Sequence, residues 1–258
     1  MGQYFRPCLL AKNYKETYDP VIDSVDCYKL GNGAKLMEHS YVGNVFVAGA
    51  IRMLRDNKDN PFVWCGDYAD PVNEKMHNGR NMYDFACMGD FDTEQTKLNC
   101  SDLMEISKRE HISDEEWCEF INENFDKYVI NHTKKQYCKV PAFDKDKWTY
   151  HPLPLLAFDG EMGSYYGSDE DMVGIWAYDV LESSNEIPEG YEELDVFFYE
   201  RYRALNGNNV VVEPRKGSGF VANLVDKDTK KKITSAVAPD RQTAIRKLYR
   251  MLYNEYKY

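Results

Sequence analysis

Residues 42–54, VGNVFVAGAIRML, set Val45, Val47, Ile51 and Leu54 on one broad apolar face at helical spacing, ahead of the polar turn DNKDN. That periodicity predicts a buried helix. The preceding LGNGAKLMEHS carries Gly31-Asn32-Gly33, a turn signal, and FVWC at 62–65 predicts a short strand that ends in the loop GDYADP. A second helix is predicted from Asp114. Ser113 is its N-cap, Glu116 completes a capping box, and Ile112 with Trp117 form a hydrophobic staple; Trp117, Ile121, Phe125 and Tyr128 then define one apolar face. KYVINHTKKQYCKV reads as a hairpin turning at Asn131 to Lys135. Beyond an irregular Asp-, Trp- and Pro-rich segment, the next strand signal is GIWAYDVL at 174–181.

The last 55 residues have a pattern of their own. Asn206-Gly207 is a turn, NVVVE and GFVANLV are strands, KKITSAV is a third, and Asp240 caps a helix that turns Ile245, Leu248, Leu252 and Tyr256 one way and Arg246, Lys247 and Arg250 elsewhere. Alternating elements followed by this β-β-β-α module predict an α+β fold, with a larger mixed domain over residues 1–200 and a small module over 205–258.

Charge divides along the same line. Residues 148–200 contain no lysine or arginine and thirteen carboxylates, whereas residues 201–258 carry 13 basic and 5 acidic side chains. The first 200 residues therefore hold a net −19 and the remainder a net +8, inside a total of −11. Aromatic content of 14% and hydrophobic content of 43% exclude a disordered acidic polymer. Seven cysteines lie far apart with no C-x-x-C pair, which argues against zinc ribbons and for reduced, mostly buried thiols. The start MGQYFR has Arg6 where a myristoylation signal needs Ser or Thr, no secretory apolar core follows, and no run approaches the ~20 apolar residues of a membrane span. A cytoplasmic location is the expectation.

The strings MGQYF, GNGAKLMEHS, NHTKK and HPLPLLAFDGE together resemble an uncharacterised group of bacterial and phage-encoded proteins, over about half the chain. The resemblance implies a phage connection and no activity. Separately, GFVANLVDKDTKKKITSAVAPDRQTAIRKLYRML is similar in layout to a double-stranded RNA-binding domain, which implies RNA binding. The family's helix opens on a lysine cluster; here it opens Asp240-Arg241-Gln242-Thr243-Ala244, and no first helix is evident ahead of the sheet.

Three constellations are candidates for function. In the acidic stretch, Asp169, Glu170, Asp171, Glu186, Glu189, Glu192, Glu193 and Asp195 could converge into a face for a cationic partner. Spread evenly, the stretch would present one carboxylate per ~185 Å² against one per ~110 Å² on B-DNA, so mimicry of nucleic acid requires that convergence. In the basic tail, Arg215, Lys216, Lys230, Lys231, Lys232, Arg241 and Arg246 could neutralise phosphates, or form an ordinary charged turn and solvated helix face. For metal-assisted hydrolysis, Glu38, His39, Asp67, Asp70, Asp90, Asp92, His151, Asp159 and Glu161 supply oxygen and imidazole donors, with His39 and Glu38 also readable as a surface pair.

Nucleophilic catalysis has no such support. There is no G-x-S-x-G elbow, Gly217-Ser218-Gly219 is too short for a phosphate loop, and WTYHPLPLL at 148–156 reads either as a rigid proline-containing binding loop or as buried packing. No motif calls for a cofactor. The leading expectation is a non-catalytic interaction protein, a phage-encoded inhibitor whose acidic surface blocks a basic, nucleic-acid-handling host defence protein. A metal-dependent hydrolase of a phosphate-containing substrate, through His39, Asp67, Asp90, Asp92 and His151, and a nucleic-acid binder, through Lys230, Lys231, Lys232, Arg241 and Arg246, are the alternatives.

Overall fold

The strand at 62–65 lies inside the molecule's larger sheet, bonded to three other strands. A computed structural model describes residues 3–89, 91, 100–109, 112–143, 149–160, 172–194, 209–215, 218–239, 244, 247, 248 and 251. The chain divides into two compact units, Met1–Tyr165 with Glu170–Val196, and Tyr166–Asp169 with Phe197–Tyr258. The fold is α+β, with a mixed sheet in the first unit and a separate three-stranded sheet in the second.

In the first unit the strands are β1 (Phe5–Leu10), β2 (Val21–Ser24), β3 (Pro61–Gly66), β4 (Tyr128–Asn131), β5 (Gln136–Lys139), β6 (Phe158–Asp159), β7 (Asp179–Ser184) and β8 (Glu192–Glu193). They are ordered β2-β1-β3-β7-β4-β5-β8, and β6 adds in parallel to β3. Pro7 can sit inside β1 because β2 ends at Ser24, opposite Cys8, so that Pro7 faces no β2 partner for its missing N–H. The predicted hairpin is β4 and β5, paired from Tyr128↔Lys139 to Asn131↔Gln136.

β3 alternates between two cores. Phe62 and Trp64 point to one side with the helix α2 (Val45–Asp56), and Val63 and Cys65 point to the other with the helix α3 (Met82–Met88). A strand covered on both faces reads as a continuous apolar run, which is why FVWC has no polar positions. Asn44 caps α2, its side-chain oxygen accepting from the N–H groups of Phe46 and Val47. Nine of the twelve α2 residues are buried, each large apolar one contributing about 1.5–3 kcal/mol. The outward arginines are fixed as well: Arg52 grips Asp102 through both terminal nitrogens, and Arg55 reaches Asp126 at 2.8 Å.

The second predicted helix is α5 (Asp114–Asn124), and its capping box forms: Ser113 Oγ accepts from the Glu116 N–H at 3.2 Å and Glu116 accepts from the Ser113 N–H at 2.9 Å. Its extent differs from expectation. Phe125 is already extended and Tyr128 opens β4, so the buried face is completed by Phe120 and Asn124 instead. One further reading is corrected, in that the strand near 174–181 starts only at Asp179; of the two readings of the proline-rich segment, buried packing is the one the fold adopts, as a short buried helix, α6 (Pro152–Leu156). Two other helices complete the unit, α1 (Leu36–His39) and α4 (Ser101–Ser107). No disulfide joins the seven cysteines, and only Cys87 and Cys118 are exposed.

In the second unit β9 (Asn209–Pro214), β10 (Phe220–Val225) and β11 (Lys232–Ala238) form an antiparallel sheet with β10 central. Ala222, Leu224, Ala236 and Ala238 cover Ala244 and Leu248, two buried residues of the helical segment; small side chains let the backbone layers approach. Lys247 is exposed, while Asp240, Ile245, Arg246, Arg250, Leu252 and Tyr256 lie outside the described residues. Among the described residues no helix is long and apolar enough to cross a membrane.

Candidate functional site: the acidic edge of the large sheet

Four of the eight carboxylates expected to meet a partner are described, and all four are exposed: Glu186 and Glu189 on the loop after β7, and Glu192 and Glu193 in β8. Asp169, Glu170, Asp171 and Asp195 lie outside the described residues. β8 is the last strand of the sheet, parallel to β5, with Gln136 opposite Glu192 and Tyr137 opposite Glu193.

The loop is pinned at both ends. The Asn185 side chain donates to Asp126 at 2.9 Å and accepts from the Lys127 N–H at 3.1 Å. At the far end the backbone N–H groups of Glu192 and Leu194 donate to the carbonyls of Lys135 and Tyr137. Between them Tyr191 is tied to the sheet by a relay. Glu182, 8% exposed in β7, accepts from Lys58 Nζ at 2.5 Å and from His132 Nε2 at 2.8 Å, and the other ring nitrogen of His132 meets the Tyr191 hydroxyl at 2.9 Å. In the tautomer with its proton on Nε2, toward the carboxylate, Nδ1 accepts from the Tyr191 hydroxyl. The order carboxylate, imidazole, hydroxyl is that of a nucleophile relay. Here, however, the cleft of about 520 Å³ beside the pair is walled by Lys12, Lys58, Asp59, His132, Thr133, Val180 and Glu182, and Tyr191 is not part of it. What the relay does in the fold is tie Tyr191 to β7 through His132.

Not every acid of the stretch is available to a partner. Lys134 pairs with Asp179 at 2.7 Å, Lys58 with Glu182, and Lys139 with Glu193 at 2.9 Å. The Lys139 hydrogen bond, aided by Tyr137, holds the Glu193 carboxyl below the usual carboxylate range. Glu186, Glu189 and Glu192 have no ion pair among the described residues. The compensating cations come from Lys58, Lys134 and Lys139, which pair with the acids across 45 to 124 residues of sequence and carry no local signal. His132 and Tyr191 were missed for the same reason; only the turn position of His132 in NHTKK set it apart.

The hydrolase candidates separate. His39 is fully buried rather than on the surface, its Nδ1 donating to the Gly33 carbonyl at 2.9 Å and its Nε2 accepting from the Trp64 indole at 3.2 Å. Burial lowers its pKa to about 4. His151 is also buried, caps α6 by accepting the Leu153 N–H at 3.2 Å, and has its pKa lowered by burial to about 3. Both imidazoles are neutral structural elements. Glu38 closes the first turn of α1 by accepting the Lys35 N–H.

Asp67 and Asp70 follow β3 and Asp159 ends β6, so the parallel pair delivers all three to one end of the sheet. Two of them have other duties: Asp67 accepts the Tyr4 N–H, and Asp159 accepts the Tyr178 hydroxyl while burial and neighbouring Asp70 raise its pKa. Among the described residues no group of three or more His, Cys, Asp or Glu side chains is arranged to hold a metal ion. Asp90, Asp92 and Glu161 lie outside the described residues.

In the second unit Lys230, Lys231 and Lys232 are exposed at the β10–β11 turn, where Asp226 accepts from the Asp228 and Thr229 N–H groups and Lys230 Nζ donates to the Lys227 carbonyl. Arg215 is exposed beside β9, and Lys216, Arg241 and Arg246 lie outside the described residues. Comparison with protein families, with curated proteins and with solved structures finds no match to this chain.

Proposed function

We propose that the protein is a non-catalytic interaction protein that presents the acidic edge around β8 to a cationic partner. The observation that carries this reading is the set Glu186, Glu189 and Glu192, exposed without an ion pair among the described residues, on a loop fastened to the sheet at Asn185, Tyr191 and Leu194. A pinned loop loses little conformational freedom on docking, so its charges retain more of their attraction as affinity. Glutamates on a sheet edge also disfavour strand addition, which directs recognition to side-chain electrostatics. The partner class this edge suits is a basic, nucleic-acid-handling protein. The narrower reading is a phage-encoded inhibitor of a host defence protein, of which only the phage connection draws on the resemblance of the NHTKK and HPLPLLAFDGE strings.

The test is affinity capture with mass spectrometry, comparing the native chain with the Glu186→Lys, Glu189→Lys, Glu192→Lys triple variant. A basic protein retained by the native chain, lost from the variant and released by added salt is the expected result. Equal capture by both proteins rejects the acidic edge as the contact.

A further inference from the structure

A cleft of about 420 Å³ opens in the first unit between the turn after Leu30, the N-terminus of α2, α4 and α5. It is independent of the acidic edge. We propose that this cleft binds a neutral small molecule that carries a flat apolar ring system and a hydrogen-bond acceptor.

Size and lining set the first half of that description. The volume falls within the ~300–1,000 Å³ of small-molecule sites, and the walls are mainly apolar, with Tyr41, Trp117 and Phe143 as the aromatics and Ile106 and Ile112 beside them. Trp117 and Phe143 are positioned by packing. Trp117 lies 5.1 Å from the ring of Phe120, and Phe143 sits so close over Gly43 that a Cβ there would stand 3.0 Å from the ring. Rigid aromatic walls favour a flat ligand, because little side-chain freedom is lost on binding.

The polar groups set the second half. Asn44 donates to the side-chain oxygen of Asn32 at 2.7 Å, and Asn32 donates to the Leu30 carbonyl at 2.9 Å. Each amide therefore spends one of its two N–H groups and keeps one. The Asn44 oxygen is already taken by the Phe46 and Val47 N–H groups, so what these amides chiefly offer is donors. Arg109 also lines the cleft, but its guanidinium is held by Glu105 at 3.2 Å and Glu116 at 3.4 Å. An anion would compete with two carboxylates for that charge, and an ammonium would face donors. A neutral acceptor meets neither penalty.

The probe for the test is prodan, a neutral, flat naphthalene that carries a ketone oxygen as acceptor, titrated against the full chain and followed by its emission and by energy transfer from tryptophan. Saturable one-to-one binding is expected, weakened about tenfold or more by Ser107→Phe, which projects a ring into the cleft while leaving the melting temperature unchanged. Should that variant melt early, Ile112→Trp fills the same space from another wall. Anilinonaphthalene sulfonate, an anionic naphthalene of similar size, should bind about tenfold more weakly than the neutral probe. Absence of saturable binding, or equal binding by the native and filled proteins, overturns the site; equal affinity for the anionic probe overturns the ligand class.

Discussion

The indole N–H of Trp64 donates to Nε2 of His39, a bond that joins the middle of β3 to the end of α1 within the larger core. Because the His39 Nδ1 proton goes to Gly33, both ring nitrogens are satisfied without a charge. Trp64→Phe should orphan Nε2 and leave a void, costing about 2–4 kcal/mol in urea unfolding. Adding His39→Leu should cost less than the sum of the two single changes, since removing both partners removes the orphaned atom. Additive costs would show that the bond contributes nothing.

Stability should fall on mild acidification. His39 and His151 bind no proton in the folded protein until about pH 4 and pH 3, while in the unfolded chain they titrate at 6.5. The unfolded state therefore binds more protons below pH 6.5, and stability drops as pH falls from 6.5 toward those values. Each histidine accounts for about 2 kcal/mol between pH 7 and pH 5. His151→Asn keeps a capping oxygen and removes one titration, so the pH slope of chemical denaturation in that range should become shallower.

Ser113→Ala should lower stability by about 1 kcal/mol, with amide exchange fastest in the first turn of α5, because the Glu116 N–H loses its acceptor. Ser113→Asp should restore most of it.

Two glutamates of the acidic stretch should behave oppositely. Glu182 is buried between Lys58 and His132, so Glu182→Gln leaves two cationic or donor groups facing an amide and should cost about 2–4 kcal/mol. Glu193 is exposed and pairs only at the surface, so Glu193→Gln should leave the melting point within error of the native protein. Tyr191→Phe should leave the core intact and raise amide exchange over residues 185–194.

Gly43 has φ +89°, and a Cβ there meets Phe143 at 3.0 Å. Gly43→Ala should therefore cost about 1–3 kcal/mol and displace Phe143, visible as a loss of probe binding to the cleft.

The parts of the fold legible in the sequence were those whose causes are local. The Ser113 cap, the apolar stripe of α2, the hairpin of β4 and β5 and the three strands of the second unit each announce themselves within about a dozen residues. Tyr128 was misplaced because helical spacing continues past the point where Phe125 turns extended, and periodicity alone does not see the competing strand partner Lys139. The acidic edge was legible as composition only. Which carboxylates stay free depends on Lys58, Lys134 and Lys139, brought to them by pairings of β7 and β5 that no short window contains. His39 and His151 showed the converse: residues chosen for their chemistry turn out to be spent on the backbone and the core.

β3 gathers its neighbours from distant parts of the chain: Phe5 to Leu9 on one edge, then Phe158 with Asp159 and finally Asp179 with Val180 on the other. On the ribosome, β3 must wait for well over a hundred further residues, roughly ten seconds at 5–20 residues per second, before its second edge can be covered. Throughout that interval Phe62, Val63 and Trp64 stand on an open template for aggregation, so production of this protein should be limited by chaperone supply and improved by slower synthesis.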